Sequence, residues 1–361
     1  MTGGFEHAVG LAPYTTLRLG GPADHFFTAD SDADLVAAVR DVEGHGDPLL
    51  VLGGGSNLVI ADDGFRGTVI RIATTGVTIR DGLVSVAAGV PWDDVVAQTV
   101  DEGLSGIECL SGIPGLAGAT PIQNVGAYGQ DVSETVVMVD AYDRVTKSMT
   151  LLDNADCGFT YRHSVFKGTV FEGPVHDGTG RYIVTCVHFQ LTDAGGLSAP
   201  LRYKDLAGAL GLPIGERAPL KAVREAVLDQ RRRRGMVLDP ADHDTWSAGS
   251  FFTNPVLAPD DFAALEGRCA VLVKNGPPPR FPESDGRIKT SAAWLIEHAG
   301  FTKGYGSGPA TLSTKHTLAL TNRGGATTGD LLRLAAEVRD GVAERFGVRL
   351  VPEPVLVGGL T

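Results

Sequence analysis

The chain has 361 residues, enough for two or three domains that each bury a core of their own. Hydrophobic residues make up 43% of it and charged residues 20%, a composition that excludes intrinsic disorder and fibrous repeats. Because 31 basic residues face 43 acidic ones, the formal net charge is -12 at pH 7, which argues against a general nucleic-acid partner.

Signals for export, membrane insertion and disulfide bonding are missing from the sequence. It begins without a basic segment followed by an apolar one, and no run of about 18 apolar residues follows. The cysteines are widely spaced and form no C-x-x-C pair, so they are predicted to be reduced core thiols. They are Cys109, Cys157, Cys186 and Cys269. We therefore expect a cytoplasmic protein with no membrane partner and no metal site.

The first third of the chain alternates between helix and strand signals. Ser31 is placed to cap a helix, and Pro91 opens a second one. Short apolar runs predict strands at Leu49–Leu52, Leu58–Ile60, Val69–Ile72 and Leu83–Ala87. From Gly103 to Gly129 glycine, proline and small residues dominate, which indicates an ordered loop or a linker.

The rest of the chain continues this mixture and predicts an α+β fold. Alternating residues indicate strands at Val136–Tyr142 and Ile183–Leu191. Helical spacing is found at Leu220–Arg234, Ser291–His298 and Asp330–Phe346. A domain boundary is expected between 200 and 220. The last stretch, Val348–Leu356, indicates a strand at an edge or a turn, because Pro352 and Pro354 interrupt it.

Two glycine-rich segments are the main functional signals. The first, LLVLGGGSNLVI, places Gly53, Gly54 and Gly55 directly after a strand, where backbone N–H groups can approach an oxyanion. Alone, it fits a tight hairpin turn as well as a phosphate site. The second runs from Leu110 to Gly129, and the pair favours a large phosphorylated cofactor. Neither G-x-G-x-x-G nor G-x-x-x-x-G-K-[ST] occurs, so a Rossmann domain and a P-loop are not expected.

Six separated motifs resemble the family of UDP-N-acetylenolpyruvoylglucosamine reductases, between about Thr16 and Glu353. They are GGGSNLVI, SGIPGLAGATPIQNVGAYG, YRHSVFK, SAGSFFTNP, SAAWLIEHAG and RFGVRLVPEP. The resemblance implies an FAD enzyme of peptidoglycan precursor synthesis that uses NADPH to reduce an enolpyruvyl ether to a lactyl ether. The implied substrate is a sugar nucleotide, and we expect a monomer.

The resemblance also implies a domain plan. An FAD-binding domain of the PCMH/vanillyl-alcohol-oxidase type is expected in two lobes, at residues 1–71 and 72–212, with the C-terminal strand 348–361 joining the first lobe. A C-terminal α+β substrate domain is expected at 213–347. Since no histidine stands in the first glycine-rich segment, the FAD is expected to be bound non-covalently.

Three residues are candidates for the chemistry. Arg162 is a fixed cation whose planar fork suits a carboxylate, although a structural salt bridge explains it equally well from the sequence alone. Ser250 precedes two phenylalanines and is either a proton donor or a buried core serine. Glu353 is either a solvated residue near the chain end or a catalytic carboxylate. The family resemblance assigns all three to catalysis.

The remaining candidates are assigned to ligands. The predicted FAD contacts are Gly53, Gly54, Gly55, Ser56, Asn57, Ser111, Gly112, Pro114, Gly115, Gly118, Ala119, Gln123, Asn124, Gly126, Ala127 and Tyr128. The predicted substrate contacts are Tyr161, Tyr203, Asn254, Arg231 and Arg234. Met236 occupies the position where many relatives have a diphosphate-binding lysine, which leaves the arginine run Arg231 to Arg234 as the substitute or as ordinary cations at a helix end.

Two other functions fit parts of the sequence. An FAD oxidase would share the cofactor domain, but such enzymes often attach the flavin through a histidine near the first glycine-rich segment. A non-catalytic nucleotide-binding module would leave Arg162, Ser250 and Glu353 together unexplained.

Overall fold

A computed structural model describes residues 4–167, 179–273 and 276–360. Within those residues the chain forms two compact units. The first unit comprises Met1–Gly10, Pro22–Gly55 and Phe65–Arg233, and the second comprises Leu11–Gly21, Ser56–Gly64 and Arg234–Thr361. Each is described by itself.

The α-helices named below are α1 (Asp32–His45), α2 (Trp92–Asp101), α3 (Lys204–Ala209), α4 (Leu220–Arg233), α5 (Pro259–Leu272), α6 (Ala292–His298) and α7 (Thr328–Phe346). The strands are β1 (Glu6–Gly10), β2 (Pro22–Ala29), β3 (Leu49–Leu52), β4 (Leu58–Ile60), β5 (Phe65–Ile72), β6 (Val77–Arg80), β7 (Leu83–Ala87), β8 (Leu104–Ser105), β9 (Gly126–Ala127), β10 (Gln130–Asp131), β11 (Val136–Asp143), β12 (Ser148–Asp153), β13 (Tyr182–Gln190), β14 (Thr192–Asp193), β15 (Val256–Leu257), β16 (Phe281–Pro282), β17 (Ile288–Lys289), β18 (Ala310–Leu312), β19 (Leu320–Asn322) and β20 (Val355–Val357).

A four-stranded sheet in the first unit has the order β1-β2-β5-β3. Strand β5 is parallel to both β2 and β3. Helix α1 begins where the Ser31 side chain accepts a hydrogen bond from the Asp34 N–H, and ends at Gly46 with φ of 76°. Its buried stripe packs on Phe27, Leu49 and Ile70 of the sheet. This packing holds β3, which leads into the first glycine-rich segment.

The second sheet of this unit has five antiparallel strands in the order β12-β11-β13-β7-β6. Helix α2 contributes Trp92, Val95 and Val96 to the same apolar core as Val187 and Phe189 of β13. The indole of Trp92 is buried, and its Nε1–H donates to the Leu110 carbonyl at 3.2 Å. The second glycine-rich segment is therefore attached to this core at its start.

The second unit has a core of its own, built from α5, α6 and α7. Its apolar cluster includes Phe262, Leu295 and Val338, one from each helix. Helix α7 begins with a capping box between Thr327 and Asp330. Strand β20 pairs in parallel with β4, so the C-terminal strand joins a segment from the early part of the chain.

Most predicted elements are confirmed, as is the α+β class. Strands Leu49–Leu52, Leu58–Ile60 and Leu83–Ala87 occur with the predicted bounds. The stretch from Gly103 to Gly129 is an ordered loop with short 3-10 turns and two-residue strands. All four cysteines are free thiols, of which Cys186 is half-buried and the others buried.

The C-terminal strand is wrong over most of its length. Only Val355–Val357 is a strand, while Val348 to Pro354 is irregular apart from one bridge between Phe252 and Pro352. Prolines lack the N–H that a ladder needs, so the pairing cannot extend through them. Helix α5 was not predicted, although its buried residues Phe262, Leu265 and Cys269 have helical spacing.

Among the helices in the described residues, none has the length and apolar character that a membrane crossing needs. The predicted domains 1–71, 72–212 and 213–347 are defined by the ligand that each would bind. They stay a prediction.

Candidate active site

The two glycine-rich segments meet in the first unit. A Cβ added to Gly54 would lie only 2.7 Å from the Cα of Gly115, so Gly54 has no room for a side chain at this contact. Gly55 and Gly115 also have φ of 59° and 120°, in the region that favours glycine. The sequence signals at Gly53–Gly55 and at Leu110–Gly129 therefore belong to one backbone surface.

Several residues of the second segment anchor it to its surroundings. The Gly118 N–H donates to the Ala88 carbonyl at 3.0 Å, and a Cβ on Gly118 would collide with Ala88. The Ser111 hydroxyl donates to the Glu108 carbonyl at 2.7 Å. Pro114 lies in irregular backbone between these anchors, and Ala119 ends the 3-10 turn that contains Gly118.

Asp93, in the first turn of α2, is a residue that the sequence reasoning missed. Its carboxylate accepts the Gly112 N–H at 2.6 Å and both terminal nitrogens of Arg224 at 2.6 and 2.8 Å. Burial favours a higher pKa for Asp93, but the hydrogen bonds from Arg224 and Gly112 outweigh it and lower the pKa. The Gly112 N–H thus bonds to Asp93, and this bond positions the second glycine-rich segment. The only sequence signal was an acidic residue in the first helical turn.

Asn124 ties the second glycine-rich segment to the turn that carries Arg162. Its Nδ2 donates to the Thr160 carbonyl at 3.2 Å, and its Oδ1 accepts the Ser133 N–H at 3.1 Å. The Ser164 hydroxyl donates to the Ile122 carbonyl at 2.5 Å, on the other side of the same turn. Both flanks of Arg162 are therefore fixed to this segment.

The backbone at these positions is strained. Asn124, Tyr128 and Arg162 have φ of 46°, 52° and 55°, which non-glycine residues adopt at a cost of about 1–3 kcal/mol each. Backbone hydrogen bonds of 3.0 and 3.2 Å between Thr160 and His163 close the tight turn around Arg162. Strain that the surrounding hydrogen bonds maintain is typical of functional sites.

Aromatic side chains surround this turn. Gly126 and Ala127 form β9, which pairs with β10, and Tyr128 lies in the hairpin between them. The rings of Tyr128 and Tyr203 pack edge to face with centroids 5.4 Å apart. The Arg162 guanidinium carbon lies 5.6 Å from the ring centre of Tyr161. The structure thus brings a predicted FAD contact and a predicted substrate contact together.

Ser250 and Glu353 lie on paired segments of the second unit. The Glu353 N–H donates to the Phe251 carbonyl at 2.9 Å, and the Thr253 N–H donates to the Val351 carbonyl at 3.0 Å. Phe251 and Phe252 are each 1% exposed, whereas Ser250 is half-buried. Residues 103 positions apart in the chain are therefore held at neighbouring places in one backbone ladder.

Asn57 extends this arrangement in the second unit. Its Nδ2 donates to the Glu353 carbonyl at 3.4 Å, and its own carbonyl accepts the Val355 N–H at 2.9 Å. Ser56 precedes it in the same segment and is half-buried. The amide of Asn57 therefore holds the backbone of Glu353, which the sequence reasoning did not foresee.

The other predicted substrate contacts are more dispersed. The Asn254 Oδ1 accepts the N–H of Ala292 at 3.0 Å, so this amide supports the start of α6. Arg231 lies in the last turn of α4, where its charge helps to lower the pKa of Asp93, and Arg234 follows that helix.

Gln123, a predicted FAD contact, is half-buried in the turn before Asn124.

Comparison with known proteins identifies both parts of the chain. Residues 239–357 match the model of the UDP-N-acetylenolpyruvoylglucosamine reductase C-terminal domain, and residues 23–152 match the model of an FAD binding domain. Both glycine-rich segments lie within the second match.

Full-length relatives carry the same name. The UDP-N-acetylenolpyruvoylglucosamine reductase of Streptomyces coelicolor is 59% identical over 353 residues, which cover 98% of this chain and 90% of the relative. That of Mycobacterium tuberculosis is 52% identical over 359 residues, covering 97% and 95%.

Solved structures agree with these matches. The UDP-N-acetylenolpyruvylglucosamine reductase of Thermus caldophilus aligns with a TM-score of 0.65 and 25% identity, covering 98% of this chain and 99% of the other. The 6-hydroxy-D-nicotine oxidase of Arthrobacter nicotinovorans aligns with a TM-score of 0.50 and 16% identity, covering 97% and 87%, which shows a shared fold.

The contact between Gly54 and Gly115 generates a test of the predicted FAD site. Gly54→Ala should reduce the FAD that copurifies with the protein several-fold, because its Cβ would force the two segments apart. Gly44→Ala is the control, since Gly44 is exposed on α1 and its Cβ would meet no atom within 4 Å. Flavin absorbance of the filtrate after denaturation measures both variants. Equal FAD content in the two variants would contradict the role of this contact.

Proposed function

This chain belongs to the UDP-N-acetylenolpyruvoylglucosamine reductase family, and we propose that it reduces UDP-N-acetylglucosamine enolpyruvate to UDP-N-acetylmuramate with NADPH and FAD. The observation that carries the proposal is the backbone pairing that holds Ser250 and Glu353 on one ladder. The proposed setting is peptidoglycan precursor synthesis in the cytoplasm, by a monomeric enzyme.

The glycine-rich surface of the first unit fits the diphosphate of FAD. Gly54 leaves no space for a side chain where it meets Gly115, so backbone N–H groups can lie against an anionic group there. Residues 53–57 and 111–128 are proposed to hold FAD without a covalent bond. When bound, FAD accepts a hydride from NADPH and passes it to the substrate. Of the proposed domains, 1–71 and 72–212 would supply this cofactor site, and 213–347 the substrate site.

The reaction defines what the side chains must do. A carbon–carbon double bond conjugated to a carboxylate takes a hydride at its terminal carbon, and the electron pair of the double bond moves towards the carboxylate. A proton then bonds to the carbon next to the carboxylate. The protein must therefore stabilise developing negative charge and supply one proton.

Arg162 is proposed to bind the substrate carboxylate. Its guanidinium is charged at every working pH and offers two parallel N–H groups to the two oxygens. Asn124 and Ser164 fix the strained turn that presents it, which limits the reorganisation needed when charge develops.

Ser250 is proposed to donate the proton, and Glu353 to assist. Phe251 and Phe252, which follow Ser250 directly, are buried. Few water molecules can therefore approach the Ser250 hydroxyl from that side, which favours transfer of its proton to the substrate. The hydrogen bond between Glu353 N–H and the Phe251 carbonyl holds the carboxylate residue on the neighbouring segment. Arg162 and Glu353 together are proposed to stabilise the enolate form of the substrate.

The sugar nucleotide is proposed to contact aromatic and basic side chains. Tyr203 is 37% exposed and Tyr161 43% exposed, so both offer ring surface and hydroxyl groups to a ligand. Arg231 and Arg234 are proposed to bind the diphosphate in place of the lysine that Met236 replaces. Asn254 is proposed to contact the substrate with its amide nitrogen, since its oxygen supports α6.

Ser250→Ala tests the proton donor. Flavin reduction by NADPH should be nearly unchanged, and reoxidation by the enolpyruvyl substrate should slow by about 10²- to 10⁴-fold, the range for a general acid. Stopped-flow measurement separates the two steps. Thr253→Val is the control on the same segment, because its hydroxyl makes only a 3.4 Å contact with the Val351 carbonyl. Equal slowing of both steps in Ser250→Ala would contradict the assignment.

Glu353→Gln tests the carboxylate. It keeps the shape and the backbone hydrogen bonds of the residue but removes its charge, so kcat should fall by about 10²-fold. Exposed Glu344 on α7 gives the control variant Glu344→Gln. FAD content and Tm of both variants should match the wild type. Wild-type turnover by Glu353→Gln would show that Arg162 and Ser250 act without this carboxylate.

The arginine run is tested by paired variants. Replacing Arg231 and Arg234 by glutamine should raise KM for the sugar nucleotide with kcat little changed, the pattern of lost uniform binding. Lys221→Gln is the control, because Lys221 lies outside the run and pairs with Asp101 at 2.9 Å on the exposed surface of α4. An unchanged KM in the double variant would indicate that these cations only stabilise the end of the helix.

A further inference from the structure

Three side chains with metal-binding atoms converge on one face of the five-stranded sheet. Asp140 on β11 lies directly opposite Cys186 on β13. Cys186 and His188 are two positions apart on β13, so their side chains leave the same face. The sheet register therefore gathers a carboxylate, a thiol and an imidazole.

The distances within this cluster suit a shared ion. One ligand atom from each of Asp140, Cys186 and His188 lies within 4.8 Å of the other two. His188 Nε2 and Asp140 Oδ2 are 3.1 Å apart. The His188 side chain is 16% exposed and that of Asp140 is 38% exposed, so the cluster is supported by protein but open to ions from solvent.

The second nitrogen of the imidazole is already positioned. His188 Nδ1 lies 2.8 Å from the Ser85 hydroxyl on β7. A histidine that binds a metal through one ring nitrogen usually donates the other N–H to a polar group, which fixes the ring. The Ser85 hydroxyl can accept the Nδ1–H of His188 in this way. The other ring nitrogen, Nε2, is then directed towards Asp140.

We propose that Asp140, Cys186 and His188 bind one zinc ion in the first unit. The donor set of one oxygen, one sulfur and one nitrogen is typical of zinc, with the fourth position of the tetrahedron left to water. The cysteine binds as a thiolate, so its proton passes to solvent on binding.

The ion would stabilise the part of the sheet that supports the second glycine-rich segment. It would cross-link β11 to β13, and β13 pairs with β7 through Cys186 and Ala87. The next residue, Ala88, accepts the Gly118 N–H at 3.0 Å. Zinc is therefore assigned a structural role, separate from the proposed reduction chemistry.

Cobalt binding to the full-length, FAD-loaded protein tests this site. After treatment with a chelator, Co²⁺ should produce one equivalent of the red-region absorption of tetrahedral Co²⁺, where oxidised flavin does not absorb, and Zn²⁺ should abolish it. Tm should rise with zinc concentration, since a ligand that binds only the folded state stabilises it. No absorption, or a Tm that zinc does not change, would overturn the proposal.

Variants assign the ligands. Cys186→Ala and His188→Gln should each lose the cobalt absorption, while Cys157→Ala, at a buried cysteine elsewhere in the unit, should keep it. Ser85→Ala should bind zinc about 10-fold more weakly, because it removes only the group that orients the ring. Flavin absorbance and circular dichroism verify that each variant is folded. Cobalt absorption that survives in Cys186→Ala would overturn the proposed donor set, because the ion would then bind without Cys186.

Discussion

The contact between Gly54 and Gly115 is the constraint on which the first unit depends. The two loops approach so closely at this point that a side chain on Gly54 would collide with the Gly115 backbone. Such a side chain would force the two loops apart. This explains why glycine is concentrated in two distant segments of the sequence. Helix α1 on one sheet and α2 on the other hold the loops in place.

The same surface determines the conformation of the turn that carries Arg162. Asn124 has a left-handed backbone, and its side chain uses both its donor and its acceptor to hold the Thr160 and Ser133 backbones. These hydrogen bonds help to offset the cost of the strained φ values. Asn124 is therefore proposed to position Arg162, in addition to the FAD contact that the sequence predicts.

Local signals explain which parts of the fold were predictable. The Ser31 cap and the Gly347 end are determined by neighbouring residues, and the corresponding helices occur where their patterns indicate. The pairing of Phe251 with Glu353 is decided by the packing of distant segments, which no periodicity encodes. The Cys186-x-His188 spacing matches no zinc pattern read along the chain, because its third ligand comes from the neighbouring strand.

Within the second unit, Asn57 connects the early part of the chain to the proposed chemistry. It lies two residues after the last of the three glycines, and its amide and carbonyl hold the backbone at Glu353 and Val355. Strand β4, which begins at the next residue, pairs with β20. Prolines on both sides of Glu353 remove N–H groups from the ladder, so the Glu353 N–H itself must make the bond to Phe251. Asn57 therefore supplies one of the hydrogen bonds that hold the backbone at this carboxylate residue.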